Sequence, residues 1–256
     1  MGKTRLGQHF LTDSSVVEKE LSIAQLSTKD IVLEVGPGKG VLTKELAKNC
    51  QQVIAVELDS QLVDHLQHIL PKNVTLVHAD VMKLSWDKIP LFTKVVANLP
   101  YQISSPFTFK LFESSFQKAV LIYQKEFAER MIAKPGSKQY SRLSVGIAYK
   151  AQCCIHQTIP PKSFSPPPEI SSCLVEITPF SKPPFYVKDE SFFFILTRLL
   201  FSHRRKKIRT ILKNAFSTPI PEDIMFGDQR VEKLTPEQIG SLSNVLIEFK
   251  SFLEKY

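Results

Sequence analysis

Ile31-Val32-Leu33-Glu34-Val35-Gly36-Pro37-Gly38-Lys39-Gly40 reads as a buried strand running straight into a glycine-rich turn. A short β-branched apolar run bounded by turn residues is the pattern of a parallel-sheet strand covered on both faces. The glycines that follow allow a tight turn and let a ligand approach the backbone closely. Their spacing is Gly-x-Gly-x-Gly, not the Gly-x-Gly-x-x-Gly of dinucleotide binders, and this favours a smaller nucleoside ligand over a pyrophosphate.

Outward from this turn, helix-period segments at 41–48, 61–70 and 105–112 alternate with apolar runs at 53–56, 74–77, 94–97 and 119–123. Strand and helix in alternation imply an α/β fold of Rossmann-like type, a parallel sheet with helices on both faces. Segments 125–133 and 141–149 read as two further helices, and 151–159 with 172–177 as a closing pair of strands. Pro179, Pro183 and Pro184 then break the pattern. From 190 to 256 the period is helical, with Leu196, Leu199, Leu200, Leu242, Val245, Leu246 and Phe249 at core-like spacing. The expected division is therefore a ligand-binding catalytic domain over 1–180 and a small helical domain over 181–256. No internal repeat is visible.

The strand ends carry the chemistry. Glu57 follows Gly36 by twenty-one residues and closes the second strand, where a carboxylate can accept from both hydroxyls of a ribose. Asp80 closes the third and suits an adenine amine, because an ionised carboxylate only accepts hydrogen bonds. Asn98-Leu99-Pro100-Tyr101 follows the fourth, Lys94-Val95-Val96-Ala97. An exocyclic adenine amine is a poor nucleophile because its lone pair is delocalised into the ring. An enzyme that alkylates it must draw its hydrogens out of plane, and the Asn98 side-chain oxygen and the Leu99 carbonyl are suited to that. Pro100 fixes φ, biases Leu99 towards an extended conformation and brings no competing N–H. Tyr101 can stack on the base, a contact worth roughly 1–3 kcal/mol. Taken alone, the tetrapeptide reads equally well as a strand followed by a proline turn. The glycine turn, Glu57, Asp80 and Asn98, in order at the carboxyl ends of four successive strands, where open α/β sheets bind ligands, favour the site.

Composition frames this reading. A chain of 256 residues can bury a large core. Its net charge of +8 favours a polyanionic partner. Cys50, Cys153, Cys154 and Cys173 have no metal or redox spacing and read as reduced thiols. Met1-Gly2-Lys3-Thr4-Arg5 lacks an apolar signal region, and the longest apolar stretch, 191–201, is far short of a membrane span. A cytoplasmic location without membrane association is expected. His65 and His68 share a helix face without a third ligand, so no metal is assigned.

Gly7-Gln8-His9-Phe10-Leu11, Glu34-Val35-Gly36-Pro37-Gly38, Glu57-Leu58-Asp59, Asp80, Asn98-Leu99-Pro100-Tyr101 and Pro160-Pro161-Lys162-Ser163-Phe164-Ser165-Pro166 together resemble the ribosomal RNA adenine dimethyltransferases of the KsgA type. The resemblance spans roughly residues 3–250, and Gln102-Ile103-Ser104-Ser105-Pro106 looks closer to the archaeal and eukaryotic branch. It implies a methyltransferase fold with S-adenosyl-L-methionine as donor. The implied substrate is a pair of adjacent adenines in a hairpin near the 3′ end of small-subunit ribosomal RNA, each dimethylated during subunit biogenesis. By the same resemblance, His9 and Leu11 match a donor-contacting pair, although His9 stands where Asn is common. Gly36 matches the contact to the donor's methionine part, Glu57 the ribose contact, Asp80 the adenine contact, and Asn98 a residue touching both donor and target base. Phe164 matches an aromatic that sandwiches the target adenine with Tyr101. Asn98, Leu99, Pro100, Tyr101 and Phe164 are the expected catalytic group. The sulfonium makes the methyl electrophilic, so the protein need supply only alignment and an extruded base, without a metal or a covalent intermediate.

His203-Arg204-Arg205-Lys206-Lys207-Ile208-Arg209 packs five strong bases into seven residues, a dense phosphate-binding signal. Arg204, Arg205, Lys206, Lys207 and Arg209, with Lys3 and Arg5, are the expected RNA contacts. The expected partner is small-subunit rRNA or a precursor particle, bound by a monomer. Two other functions fit the same motifs: a large-subunit rRNA adenine methyltransferase of the macrolide-resistance type, and a non-catalytic RNA- or DNA-binding assembly or transcription factor. Substrate preference separates the first, and an intact donor site argues against the second.

Overall fold

The computed structural model describes residues 9–253, so Lys3 and Arg5 lie outside the described residues. The chain forms two compact units, Met1–Ala128 with Cys153–Pro179, and Glu129–Gln152 with Phe180–Tyr256.

The first unit begins with β1 (Phe10–Leu11), α1 (Ser14–Ala24), β2 (Ile31–Val35) and α2 (Val41–Asn49), followed by β3 (Gln52–Glu57), α3 (Ser60–Gln67) and β4 (Val74–His78). Next come β5 (Lys94–Ala97), α4 (Ser104–Leu111) and β6 (Lys118–Gln124), and later β7 (Ala151–Ile159), β8 (Phe164–Ser165) and β9 (Ser172–Pro179). Seven strands form one sheet in the order β4-β3-β2-β5-β6-β9-β7. β4 through β6 are parallel, and β9 runs antiparallel to β6. The chain winds outward from β2 to β4 and then returns to place β5 on the other side of β2. Ligands of open α/β sheets bind where the order reverses in this way. Here that point lies at the carboxyl ends of β2 and β5.

Period-two alternation builds two buried faces. Val32, Val53, Val96 and Val120 pack with Val16 and Val17 of α1 and Leu42 and Leu46 of α2. Leu33, Ile54, Val95 and Leu121, one residue out of phase, are just as deeply buried. The sheet is therefore covered on both sides, as the continuous apolar runs imply. Asp13 caps α1 by accepting from Ser15 N–H at 3.1 Å.

Three details depart from the sequence reading. α3 stops at Gln67, and the residues expected to extend it to 70 close turns instead, such as His68 N–H to His65 C=O. β1 and β8, which pair antiparallel as Phe10↔Ser165 and Leu11↔Phe164, were not anticipated, because two-residue strands carry no readable period. Val245 is 47% exposed rather than core. On α9 (Pro236–Leu246), Ile239, Leu242, Ser243 and Leu246 form the buried i, i+3, i+4, i+7 stripe, and Val245 falls beside it.

The second unit is helical. Phe192, Phe193 and Leu196 of α7 (Glu190–Ser202) pack with Ile211 and Leu212 of α8 (Ile208–Ala215) and with Leu242 and Leu246 of α9. Val145 and Tyr149 of α6 (Arg142–Lys150) join this same core. A single cut at 180 therefore captures one crossing of the chain and misses another, because 129–152 buries its apolar side in the helical unit. α5 (Lys125–Met131) carries the chain across that earlier boundary.

Candidate active site

The turn after β2 is built for close approach. Gly36 has φ +71°, and its N–H donates to Val56 C=O at 2.9 Å. Gly38 has φ +56°, and a Cβ there would lie 2.9 Å from the Phe10 ring. Both the backbone angle and the ring exclude a side chain at Gly38.

Register sets the neighbouring strand ends beside this turn. Val35 pairs with Val56, and Glu57 with His78, so Gly36, Glu57 and Asp80 follow one another along the carboxyl edge. The Glu57 carboxylate is only 5% exposed. Its Oε1 accepts from Leu58 N–H at 2.8 Å and Asp59 N–H at 3.0 Å, and its Oε2 from Gly38 N–H at 3.2 Å. One lone pair, on Oε2, remains for a ligand hydroxyl. Asp80 Oδ1 accepts from Met82 N–H at 2.9 Å, and its side chain stays 31% exposed. Between the two carboxylates lies a cavity of ≈ 570 Å³ walled by Val56, Leu58, Val81 and Ile103. Two acceptors at the ends of an apolar slot match a flat base with a sugar attached.

Asn98, Leu99, Pro100 and Tyr101 line an adjoining cavity of ≈ 540 Å³, with Phe164 in its wall. A third cavity, of ≈ 960 Å³, is bordered by Glu34, Gly38, Lys39, Leu11 and Asn98. Gly36 borders all three, so they meet at the turn after β2. Leu99 is only 3% exposed and lines the cavity it shares with Pro100 and Tyr101. The Tyr101 hydroxyl bonds with Ser172 Oγ at 2.7 Å, and burial holds its pKa above the usual tyrosine value.

The flanking residues take roles the sequence did not foresee. His9 Nδ1 sits 2.8 Å from Pro166 C=O, and its ring faces Tyr101 with centroids 5.7 Å apart. Phe164 pairs with Leu11 across the small sheet and is 5% exposed, so most of its ring belongs to the core. The ring seen against Tyr101 is therefore His9. Lys39 Nζ lies 5.3 Å from the Phe10 ring centroid, at the rim of the third cavity.

Two buried acids stand at or behind the site: Glu34, quoted in the sequence motif without a role, and Glu20, which the sequence reading missed. Glu34, buried at 1%, has its carboxyl pushed up to about 8 by burial, with Thr43 partly offsetting and the Glu57 charge adding. Glu20 is fully buried, and burial together with the Glu34 charge holds it well above the ordinary carboxylate range, with Asn98 partly offsetting. The signal for Glu20 was present in the helical spacing of Val16, Val17, Glu20, Ile23 and Ala24.

The basic run spans the turn between α7 and α8 and reaches into the first turn of α8, where Arg209 stands. Arg204 is committed to structure: its Nε donates to Glu232 Oε2 at 3.1 Å and its NH1 to Lys138 C=O at 3.1 Å. Lys207 and Arg209 share Asp228 at 3.2 and 2.8 Å. Arg205 and Lys206 are exposed. Among the described residues no group of His, Cys, Asp and Glu is arranged to hold a metal ion, and no helix is long and apolar enough to cross a membrane.

The chain is similar to known proteins over nearly its whole length. The profile of the family described as "Ribosomal RNA adenine dimethylase" matches residues 1–248. A relative from Methanococcus maripaludis, named a probable ribosomal RNA small subunit methyltransferase A, is 42% identical, with 98% of each chain covered. One of the same name from Methanosarcina mazei is 41% identical over 95% of this chain and 93% of the relative. Among solved structures, a dimethyladenosine transferase from Plasmodium falciparum aligns with TM-score 0.78 at 27% identity, covering 96% of this chain and 99% of the other. The 23S rRNA methyltransferase ErmE aligns with TM-score 0.68 at 25% identity, covering 93% and 99%.

Proposed function

Because the chain belongs to the ribosomal RNA adenine dimethylase family, we propose that it uses S-adenosyl-L-methionine to dimethylate the exocyclic amines of two adjacent adenosines near the 3′ end of small-subunit rRNA. The observation that carries this reading is the convergence of three cavities on Gly36, with Glu57 and Asp80 on one side and Asn98 on the other. The small-subunit name of the relatives at 41–42% identity, against 25% for the large-subunit enzyme, favours the small subunit.

The residues present fit the donor. The close approach at Gly36 and Gly38 suits its methionine part, Glu57 its ribose and Asp80 its adenine amine, with Leu11 and His9 at the cavity border. When bound, the donor supplies a methyl group made electrophilic by its sulfonium. Asn98 Oδ1 and the Leu99 carbonyl accept the two hydrogens of the target amine and draw its nitrogen out of the ring plane. Pro100 keeps that carbonyl free of a neighbouring N–H. Tyr101 and Phe164 border the space for the extruded base, which is least costly to extrude from a loop.

Incubation with labelled donor and under-methylated ribosomal subunits tests this. Label is expected in small-subunit RNA as N6,N6-dimethyladenosine; label in large-subunit RNA alone overturns the proposal. For RNA binding, Arg205 and Lys206 are the exposed cations of the basic run that no acid holds among the described residues, with Lys3 and Arg5 in the same role outside them. Lys207 and Arg209 contribute less because Asp228 holds them. Each lost phosphate contact lowers the salt slope of log K by about 0.7–0.9. Neutralising Arg205 and Lys206 together is expected to reduce the slope by roughly 1.5, measured by filter binding across a salt series. Neutralising Arg204 instead is expected to lower thermal stability.

A further inference from the structure

Behind the Asn98 amide lies a group of buried oxygens that this chemistry leaves unused. Val32 of β2 and Val96 of β5 pack against α1, and alternation turns Glu34 and Asn98, two residues further on, to that same face. α1 turns Glu20 inward with its apolar stripe. Glu20 is 0% exposed and within reach of a side-chain hydrogen bond with Asn98. Among the described residues, both Glu20 carboxyl oxygens, Asn98 Oδ1 and Glu34 Oε2 nevertheless have no partner.

Acceptor oxygens gathered without a proton between them repel, and unpartnered buried polar atoms are costly. Two arrangements relieve this at Asn98. With a proton on Glu20, its O–H donates to Asn98 Oδ1, and the amide NH2 is left towards the cleft. With Glu20 ionised, Asn98 Nδ2–H donates to the carboxylate, and Oδ1 is left towards the cleft. Only the second offers the target amine an acceptor.

We propose that Glu20 is a positioning residue for methyl transfer, an internal acid whose proton decides which side of the Asn98 amide faces the target amine. The inference rests on the reading of Asn98 as amine acceptor. Burial and the facing charge of Glu34 favour the protonated form, and Glu57 stands beyond Glu34. The cations on the strands packed against α1 do not offset this. Lys94 and Lys118 stand at the opposite ends of β5 and β6, paired with Asp30 and Glu176. Glu18 and Lys19 of α1 are exposed, and Lys48 of α2 is paired with Glu45. A positive charge brought into the cavity bordered by Glu34 favours the ionised form. Occupation of the donor site and exposure of the acceptor are thereby coupled.

The test compares E20Q and E20L with the natural chain. Leu continues the apolar face of α1, so E20L is expected to fold with undiminished thermal stability. Above the ordinary carboxylate range, kcat of the natural enzyme at saturating donor and RNA is expected to rise with pH as Glu20 ionises. E20Q, which cannot ionise, is expected to lose that limb while keeping activity between the other two. E20L is expected to lose roughly 10- to 100-fold in kcat, and its donor Kd is expected to lose the tightening with rising pH expected of the natural chain. In 13C-carboxyl spectra of the free protein, the glutamate resonance missing from E20Q is expected to be protonated at pH 7. The inference is overturned if E20Q retains the rising limb, if E20L keeps full kcat, or if that resonance is a carboxylate at pH 7. N98A separates the two readings: turnover by N98A overturns the acceptor role itself, whereas an inactive N98A beside unaffected Glu20 variants overturns only this inference.

Discussion

Asn98→Ala is expected to reduce methyl transfer by about 10³-fold while donor affinity changes by less than about threefold. The basis is where Asn98 stands. It follows β5 at the switch point of the sheet and lines both the cavity that holds Leu99 and Tyr101 and the one bordered by Glu34 and Gly38. Removing one well-placed polar group that acts on the reacting centre costs about 10²–10³ in rate in other enzymes. Here the loss is placed at the upper end, because the Leu99 carbonyl alone cannot hold both amine hydrogens. The ribose and adenine contacts, by contrast, belong to Glu57 and Asp80 on β3 and β4. Single-turnover label transfer to RNA reads the first effect and calorimetry of donor binding the second. Substantial turnover by Asn98→Ala would remove the amide from the chemistry.

Asn98 and its partners were legible because they stand at strand ends. Apolar runs such as Val53-Ile54-Ala55-Val56 announce themselves, and the polar residue that ends each run marks the carboxyl edge. The glycine turn after β2 was legible for the same reason. What escaped depended on partners distant in sequence. Glu20 sits in Glu18-Lys19-Glu20, which looks like a solvated helix surface until the buried spacing from Val16 to Ala24 is followed. Arg204 looks like one cation among five, yet Glu232, twenty-eight positions on, commits it to structure. Residues 129–152 read as a continuation of the α/β pattern, and only the packing of Val145 and Tyr149 with α7 and its neighbours assigns them to the helical unit. Local period reports that a face is apolar. It does not report what covers that face.

Glu57→Ala is expected to weaken donor binding by about 10²–10³-fold, equivalent to about 3–4 kcal/mol, through loss of charge-assisted hydrogen bonding to the ribose. The same carboxylate also organises the site. It accepts backbone N–H groups from Gly38, Leu58 and Asp59, so truncation releases the glycine turn as well as the sugar. Glu57→Gln separates these effects, because the amide keeps one acceptor oxygen for the turn and gives up the charge. With that variant the KM for donor is expected to rise by about tenfold while the high-pH plateau of kcat at saturating donor stays near its natural value, since neither Asn98 nor Leu99 is touched. A second consequence follows from electrostatics. The Glu57 charge helps to hold Glu34 protonated, at about 8, and its removal moves the Glu34 carboxyl back towards the ordinary range. Glu34 ionised at lower pH then presses harder on Glu20, whose proton it helps retain. The rise of kcat with pH should therefore move to higher pH in Glu57→Gln than in the natural enzyme. A steady-state pH series on this variant distinguishes a carboxylate that only grips the ribose from one that also sets the charge of the acids behind Asn98.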